Sequence, residues 1–323
     1  MTIESETPHY VSNSDLENLL SSLGSVPGDP RAGFFGPESV SWRVNRESAI
    51  FLGAGRAALL QLAHPWVAAS LLHHSSLIND AIGRFHSTFR VVYTMLFGTR
   101  AQALAASRQL YRRHTAITGE LPHTIGVHRS GERYEANEIT ALRWVYATLV
   151  ESAVLAYEFV LSPLTSAGRE QYYSESKRMA ILFGLNPGSL PADWSAFTSY
   201  CAEMLESPLL GIDDNARALG RSVMSGVGTW LRPPRWYRSL TAWWMPPRFR
   251  QEFDLATPEE KFILRGRRHL RFLYLRIPRA IRYVGPFHEA EARLRGRVPG
   301  AFTRQSNRFW MGQPQLLFPQ LSR

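Results

Sequence analysis

From Ser41 to about Gly119 apolar residues recur at intervals of three and four, and this periodicity commits the chain to helices more firmly than any other feature. Ile50, Leu52, Ala57, Leu60, Leu62 and Ala63 are followed by Val67, Leu71 and Leu72, then by Val91, Val92, Met95 and Leu96. Residues so spaced share one helix face, whereas a half-buried strand needs strict alternation. Asn79-Asp80 offers an N-cap, and Phe97-Gly98-Thr99 a stop before the alanine-rich run Arg100 to Arg113. Helical spacing resumes over Glu138 to Ser162, Ser166 to Phe183 and Asp193 to Glu206, broken by Gly184-Leu185-Asn186-Pro187-Gly188 and Ser207-Pro208. The expected fold is all-α, a single multi-helix domain over residues 41–323. Residues 1–40, rich in Ser, Gly, Pro and acids, read as an N-terminal arm with a helical turn or two at Leu16 to Leu23. One strand pair is expected, Leu121 to Val127 with Glu132 to Tyr134 around Arg129-Ser130-Gly131, in a stretch that reads equally well as loop.

Composition then removes whole classes. Hydrophobic residues make up 45% and charged residues 20%, ordinary values for a protein with a buried core. The single cysteine, Cys201, excludes an intramolecular disulfide framework and any multi-thiolate metal site, and favours a reducing, cytoplasmic location. Glu4 and Glu6 stand where a secretory signal carries positive charge. The most apolar long window, Val145 to Leu164, contains Glu151 and Glu158, which a buried helix tolerates better than a bilayer centre does. No membrane span is expected.

Charge is unevenly placed, with net −5 over residues 1–215 and +15 over residues 216–323. Only Lys177 and Lys261 are lysine, so the arginine preference is chain-wide rather than a device for gripping phosphates, and nucleic acid is not an expected partner. In the basic third, Arg232, Arg235, Arg238, Arg248 and Arg250 alternate with Trp230, Trp236, Tyr237, Trp243, Trp244 and Phe249. Two readings stand: the rings pack on the core while the arginines face water, or the segment makes a weak peripheral contact with anionic membranes. Pro233, Pro234, Pro246 and Pro247 forbid one continuous helix here, and Pro258-Glu259-Glu260-Lys261 opens another that runs to about Pro278.

None of the ten histidines pairs at metal-protease or zinc-finger spacing. His64, before Pro65, and His114, within Leu110-Tyr111-Arg112-Arg113-His114-Thr115-Ala116-Ile117, each sit beside an apolar helix face. The ordinary reading of either is a core imidazole with its hydrogen bonds satisfied. Arg84 and Thr88, four apart, share a face; a guanidinium and a hydroxyl there can hold an anion or a polar oxygen, though such pairs are more often structural or solvated. Gly53-Ala54-Gly55-Arg56 lacks both the third glycine and the preceding strand of a dinucleotide fingerprint. From the residues alone this is a soluble helical protein with a single-histidine candidate site.

Several ordered motifs carry a resemblance. Gly55-Arg56-Ala57-Ala58-Leu59-Leu60-Gln61-Leu62-Ala63-His64-Pro65-Trp66-Val67-Ala68-Ala69 is followed by His74-Ser75, Gly83-Arg84 with Thr88, Phe97-Gly98, His114 with Gly119, Tyr134 with Ala136, and Trp144-Val145. Over about residues 40–210 the chain resembles the bacterial family related to the latex-clearing rubber oxygenases and the fungal MpaB-type oxygenases. Residues 216–323 read as a basic, aromatic extension to it. The resemblance implies a globin-like helical core with extra helices, one haem b, and an axial iron ligand at His114. It places the arginine and threonine of an Arg-x-x-Lys-Thr motif on Arg84 and Thr88, whereas the motif's lysine, which can cap the distal iron face, is Ser87 here. Tyr146 also departs, since many relatives have histidine after Trp-Val.

On this resemblance Arg84 would stabilise a haem propionate or a reacting oxygen, with Thr88 donating a hydrogen bond. Phe85, Phe89, Tyr93 and Leu110 would form an apolar wall, and His64 and His86 are the rival ligands. The implied function is a haem b-dependent oxygenase, dioxygenase- or peroxidase-like, acting on an apolar small molecule with O2 or peroxide. The alternatives are a non-catalytic haem- or apolar-ligand-binding protein and a haem-free protein in which His114 is structural.

Overall fold

Capping residues open the helices where the sequence places them. The computed structural model describes residues 9–74, 81–226 and 232–316, so Ser75, the Asn79-Asp80 cap and Trp230 fall outside it. Its helices are α1 (Asn13–Gly24), α2 (Val40–Asn45), α3 (Ala54–Leu62), α4 (Pro65–His74), α5 (Ala81–Phe97) and α6 (Arg100–Thr115). After a hairpin of β1 (Thr118–Glu120) and β2 (Arg133–Glu135) come α7 (Ile139–Val160), α8 (Ser166–Leu182), α9 (Trp194–Glu206) and α10 (Asp214–Ser225). The last third holds α11 (Arg235–Trp244), α12 (Pro247–Glu252), α13 (Glu260–Tyr274), α14 (Arg279–Arg282), α15 (Gly285–Leu294) and α16 (Ala301–Met311). Ser12 with Asp15 and Thr99 with Gln102 form reciprocal capping boxes, and Thr165, Asp193 and Asp213 each accept from a backbone N–H of the first turn. Such caps satisfy donors that a helix start otherwise leaves unpaired.

The 22-residue α7 runs through the centre. By length and composition it could cross a bilayer, yet 56% of its most apolar window is buried inside the protein. It packs on α3 and on a short 3-10 helix, Ser48–Gly53. Both of its acids are paired: Glu151 with Arg56 at 2.7 Å and Glu158 with Arg169 at 2.7 Å. Trp144 donates from its indole to the Leu60 carbonyl at 2.7 Å, fixing the register of α7 on α3.

α1 buries Leu16, Leu20 and Leu23 and packs on α6 and α8, so the N-terminal region contributes to the core rather than hanging from it. The expected first strand is displaced. β1 pairs antiparallel with β2, Thr118 opposite Glu135, and Leu121 to Val127 is loop. Pro122 in that stretch has no N–H to give a ladder.

In the basic third the rings turn inward. Trp236, Trp243 and Trp244 pack around Phe159, and Phe249 is fully buried. Arg248 donates to the carbonyls of Leu205, Ser207 and Leu210, while Arg232, Arg235 and Arg238 face solvent. This is the core-packing arrangement: Trp236, Trp243 and Trp244 are partly buried against Phe159. α15 and α16 close over α5: Phe51 stacks on Trp310 with centroids 4.2 Å apart, and Arg90 donates to the Met311 carbonyl at 3.2 Å.

Candidate functional site

α5 and α6 form an antiparallel hairpin whose turn has no room for a side chain. A Cβ on Gly98 would strike the Thr94 carbonyl and crowd Gln102, so glycine is required for α5 to pass directly into the capping box of α6. This tight turn sets Arg84, near the start of α5, opposite His114, in the last turn of α6.

His114 is partly buried, and its ring forms no hydrogen bond among the described residues. Its imidazole is pushed down to about 4, first by burial, then by the positive charges of Arg84 and Arg113. At neutral pH it is therefore uncharged, the form in which imidazole ligates metal. Burial and Arg113 also lower the pKa of Arg84, and among the described residues no carboxylate pairs with it. A partly buried guanidinium with no counter-ion among the described residues can take an anion or a polar oxygen.

Ser87 accepts from Arg113 at 2.8 Å, bridging α5 to α6, and Lys177 is committed to the Ala192 carbonyl. Thr88 shares the Arg84 face, but its hydroxyl donates to the Arg84 carbonyl at 3.1 Å. That proton is spent on the helix, so Thr88 can offer a ligand lone pairs and not the expected donor.

The rival histidines lie elsewhere. His86 bonds the Phe309 carbonyl on α16 at 3.0 Å. His64, 1% exposed, sits at the α3–α4 corner against Trp66 and His128, with ring centroids 6.0 and 5.5 Å away. Burial and His128 push it down to about 3, and its Nδ1 has no partner. The structure thus brings Arg84, Thr88 and His114 together and leaves His64 and His86 apart from them.

An apolar cavity of about 100 Å³ adjoins α5 on the next face round the helix, between α5, α7, α8 and the Ser48–Gly53 turn. Phe51, Phe89, Val150 and Met179 line it, and of the expected wall Phe89 and Tyr93 reach it while Phe85 stacks on Phe89. Two hydroxyls in its lining, Tyr93 Oη and Ser41 Oγ, are buried without a hydrogen-bond partner among the described residues. Tyr146 also lines it and shares a 2.6 Å hydrogen bond with Ser176. Sequence reasoning missed Ser41 and Phe51, for neither lies near a motif that carries chemistry. Their signal is only spatial.

The donor types suit a haem: a neutral imidazole for iron and a guanidinium for a carboxylate, each without a partner among the described residues. The apolar cavity on the next face is comparable to engineered ones that admit a benzene ring, and neither His114 nor Arg84 is in its lining.

No curated protein and no solved structure gave a significant match to the chain. The family described as ER-bound oxygenase mpaB/B'/rubber oxygenase, catalytic domain, matches residues 42–275, well over half of the chain and far into the segment that reads as an extension. The protein belongs to the mpaB/rubber oxygenase family.

Proposed function

We propose that this oxygenase-family domain is a haem b-dependent oxidoreductase that acts on an apolar small molecule with O2 or peroxide. The carrying observation is the neutral imidazole of His114 beside the guanidinium of Arg84, neither with a partner among the described residues, on a helix that also walls an apolar cavity. His114 would hold the iron, and Arg84 a haem carboxylate or a polar oxygen. When bound, the haem supplies the iron–oxygen chemistry. The chain supplies the surroundings: Phe51, Phe89 and Val150 exclude water and accept an apolar segment, and the Tyr93 hydroxyl is positioned to donate to an oxygen on it. Burial holds the Tyr93 phenol well above its usual range, so it stays protonated and remains a donor at any working pH.

Haemin titration of the purified protein tests the reading. A Soret shift saturating at one equivalent is expected, retained in His64→Ala and His86→Ala and lost in His114→Ala. Absence of a shift, or full binding by His114→Ala, refutes the assignment. Oxidation of an apolar alkene by the loaded protein, with O2 or peroxide, then separates an oxygenase from a non-catalytic haem binder.

A further inference from the structure

We infer that the outer face of α13 and the turn into α14 form a docking surface for an anionic lipid bilayer. The inference stands apart from the haem reading. It also differs from a contact through the aromatic segment of α11, whose tryptophans pack on Phe159.

α13 buries Ile263 and Tyr274 on one side. Its other side leaves large apolar groups in the open: Phe272 is 56% exposed and Leu273 60%, and Ile281 on α14 is 62% exposed. Single exposed apolar residues are ordinary, but a group of them on one short stretch marks an interaction surface. Residues 261–288 contain eight basic and no acidic side chains. Some of these arginines are occupied, since Arg267 and Arg271 hold carbonyls at the end of α7 and Arg282 pairs with Glu47. Arg265, Arg268 and Arg279 are exposed, and their guanidinium groups have no ion-pair or hydrogen-bond partner among the described residues. Arg276 lies over the Phe272 ring, 3.5 Å from its centroid, so charge and ring present themselves together.

Charge complementarity selects the occupant. A second copy of the chain meeting this face by two-fold symmetry would set one array of unpaired arginines against another, which like-charge repulsion opposes. Leucine and isoleucine offer nucleic-acid bases no stacking platform, and one face of the Phe272 ring is already covered by Arg276. An anionic leaflet answers both features, because phosphates take the guanidinium groups while the apolar side chains enter the acyl boundary.

The test is co-sedimentation of the full chain with phosphatidylcholine vesicles, with and without phosphatidylglycerol, at low and high salt. Binding is expected only to the anionic vesicles and is expected to weaken with salt. Each arginine at an anionic leaflet contributes about a fivefold gain in partitioning. The variant Arg265→Gln/Arg268→Gln/Arg279→Gln should therefore lose about a hundredfold, with unchanged circular dichroism and melting temperature. Phe272→Ser/Leu273→Ser/Ile281→Ser should lose about tenfold or more while keeping the salt dependence. Arg232→Gln/Arg235→Gln/Arg238→Gln, which removes the same charge elsewhere, should retain most binding. The inference is overturned by no pelleting of the wild type at low salt, by equal losses from the two arginine triplets, by preference for duplex nucleic acid over vesicles, or by a dimer in solution that Phe272→Ser dissolves.

Discussion

Replacing His64 by leucine should flatten the acid sensitivity of the fold. His64 is 1% exposed, and burial with His128 nearby pushes its pKa down to about 3, against about 6.5 in an unfolded chain. The folded state therefore binds fewer protons than the unfolded state across this window, and falling pH favours unfolding. The group costs nothing above about pH 6.5; below that, stability drains away until the folded imidazole itself protonates near pH 3. At pH 5 the linkage amounts to about 2 kcal/mol, rising towards about 5 kcal/mol below pH 3. Leucine removes the titration and the unpartnered Nδ1 together. Urea unfolding at pH 7 and pH 5, followed by tryptophan fluorescence, reads the difference. Wild type should lose about 2 kcal/mol more than His64→Leu between the two pH values. His114, depressed in the same window, is present in both proteins and cancels. Parallel losses would show that His64 is solvated or paired, and the inference from its burial would fail.

Three further substitutions probe the candidate site. Arg84→Met should stabilise the ligand-free fold by about 1 kcal/mol, because it removes a partly buried cation with no partner among the described residues, yet weaken haem binding about tenfold or more; thermal melts and haemin titration check the two halves. Tyr93→Phe should likewise raise the melting temperature, since it deletes a buried hydroxyl with no partner, by about 1 kcal/mol in stability, while lowering affinity for oxygen-bearing apolar ligands and not for plain hydrocarbons of equal size. Gly98→Ala should cost about 2 kcal/mol or more in chemical denaturation, because its methyl group meets the Thr94 carbonyl at the turn that sets Arg84 against His114.

Much of this architecture was legible residue by residue. The spacing of apolar positions located the long helices α7, α8 and α9 within a residue or two, since a 3.6-residue period repeated over several turns leaves little choice of face. The hairpin defeated the same reasoning: a three-residue strand has no period to detect, and Pro122 displaced the pairing upstream. The tryptophans of α11 showed that composition cannot tell an interfacial ring from a packed one, because both want an apolar neighbour on one side. At the site, four-residue spacing put Arg84 and Thr88 on one face, but where the Thr88 proton goes depends on a backbone carbonyl that every helix offers. That Arg84 has no carboxylate partner among the described residues is a statement about many neighbours at once. No local pattern encodes it.

The two C-terminal helices bear on where the working unit ends. The family match stops at residue 275, but the far side of α5 is held by residues well beyond that point, with Trp310 against Phe51, the Met311 carbonyl on Arg90, and the Phe309 carbonyl on His86. A fragment cut to the matched residues would keep Arg84, Thr88 and His114 while exposing an aromatic face and releasing two cationic or polar side chains from their acceptors. The stretch that the family pattern matches is thus shorter than the stretch that packs around α5. Chemistry inherited in one part of the chain is held in place by another part that the family pattern does not describe.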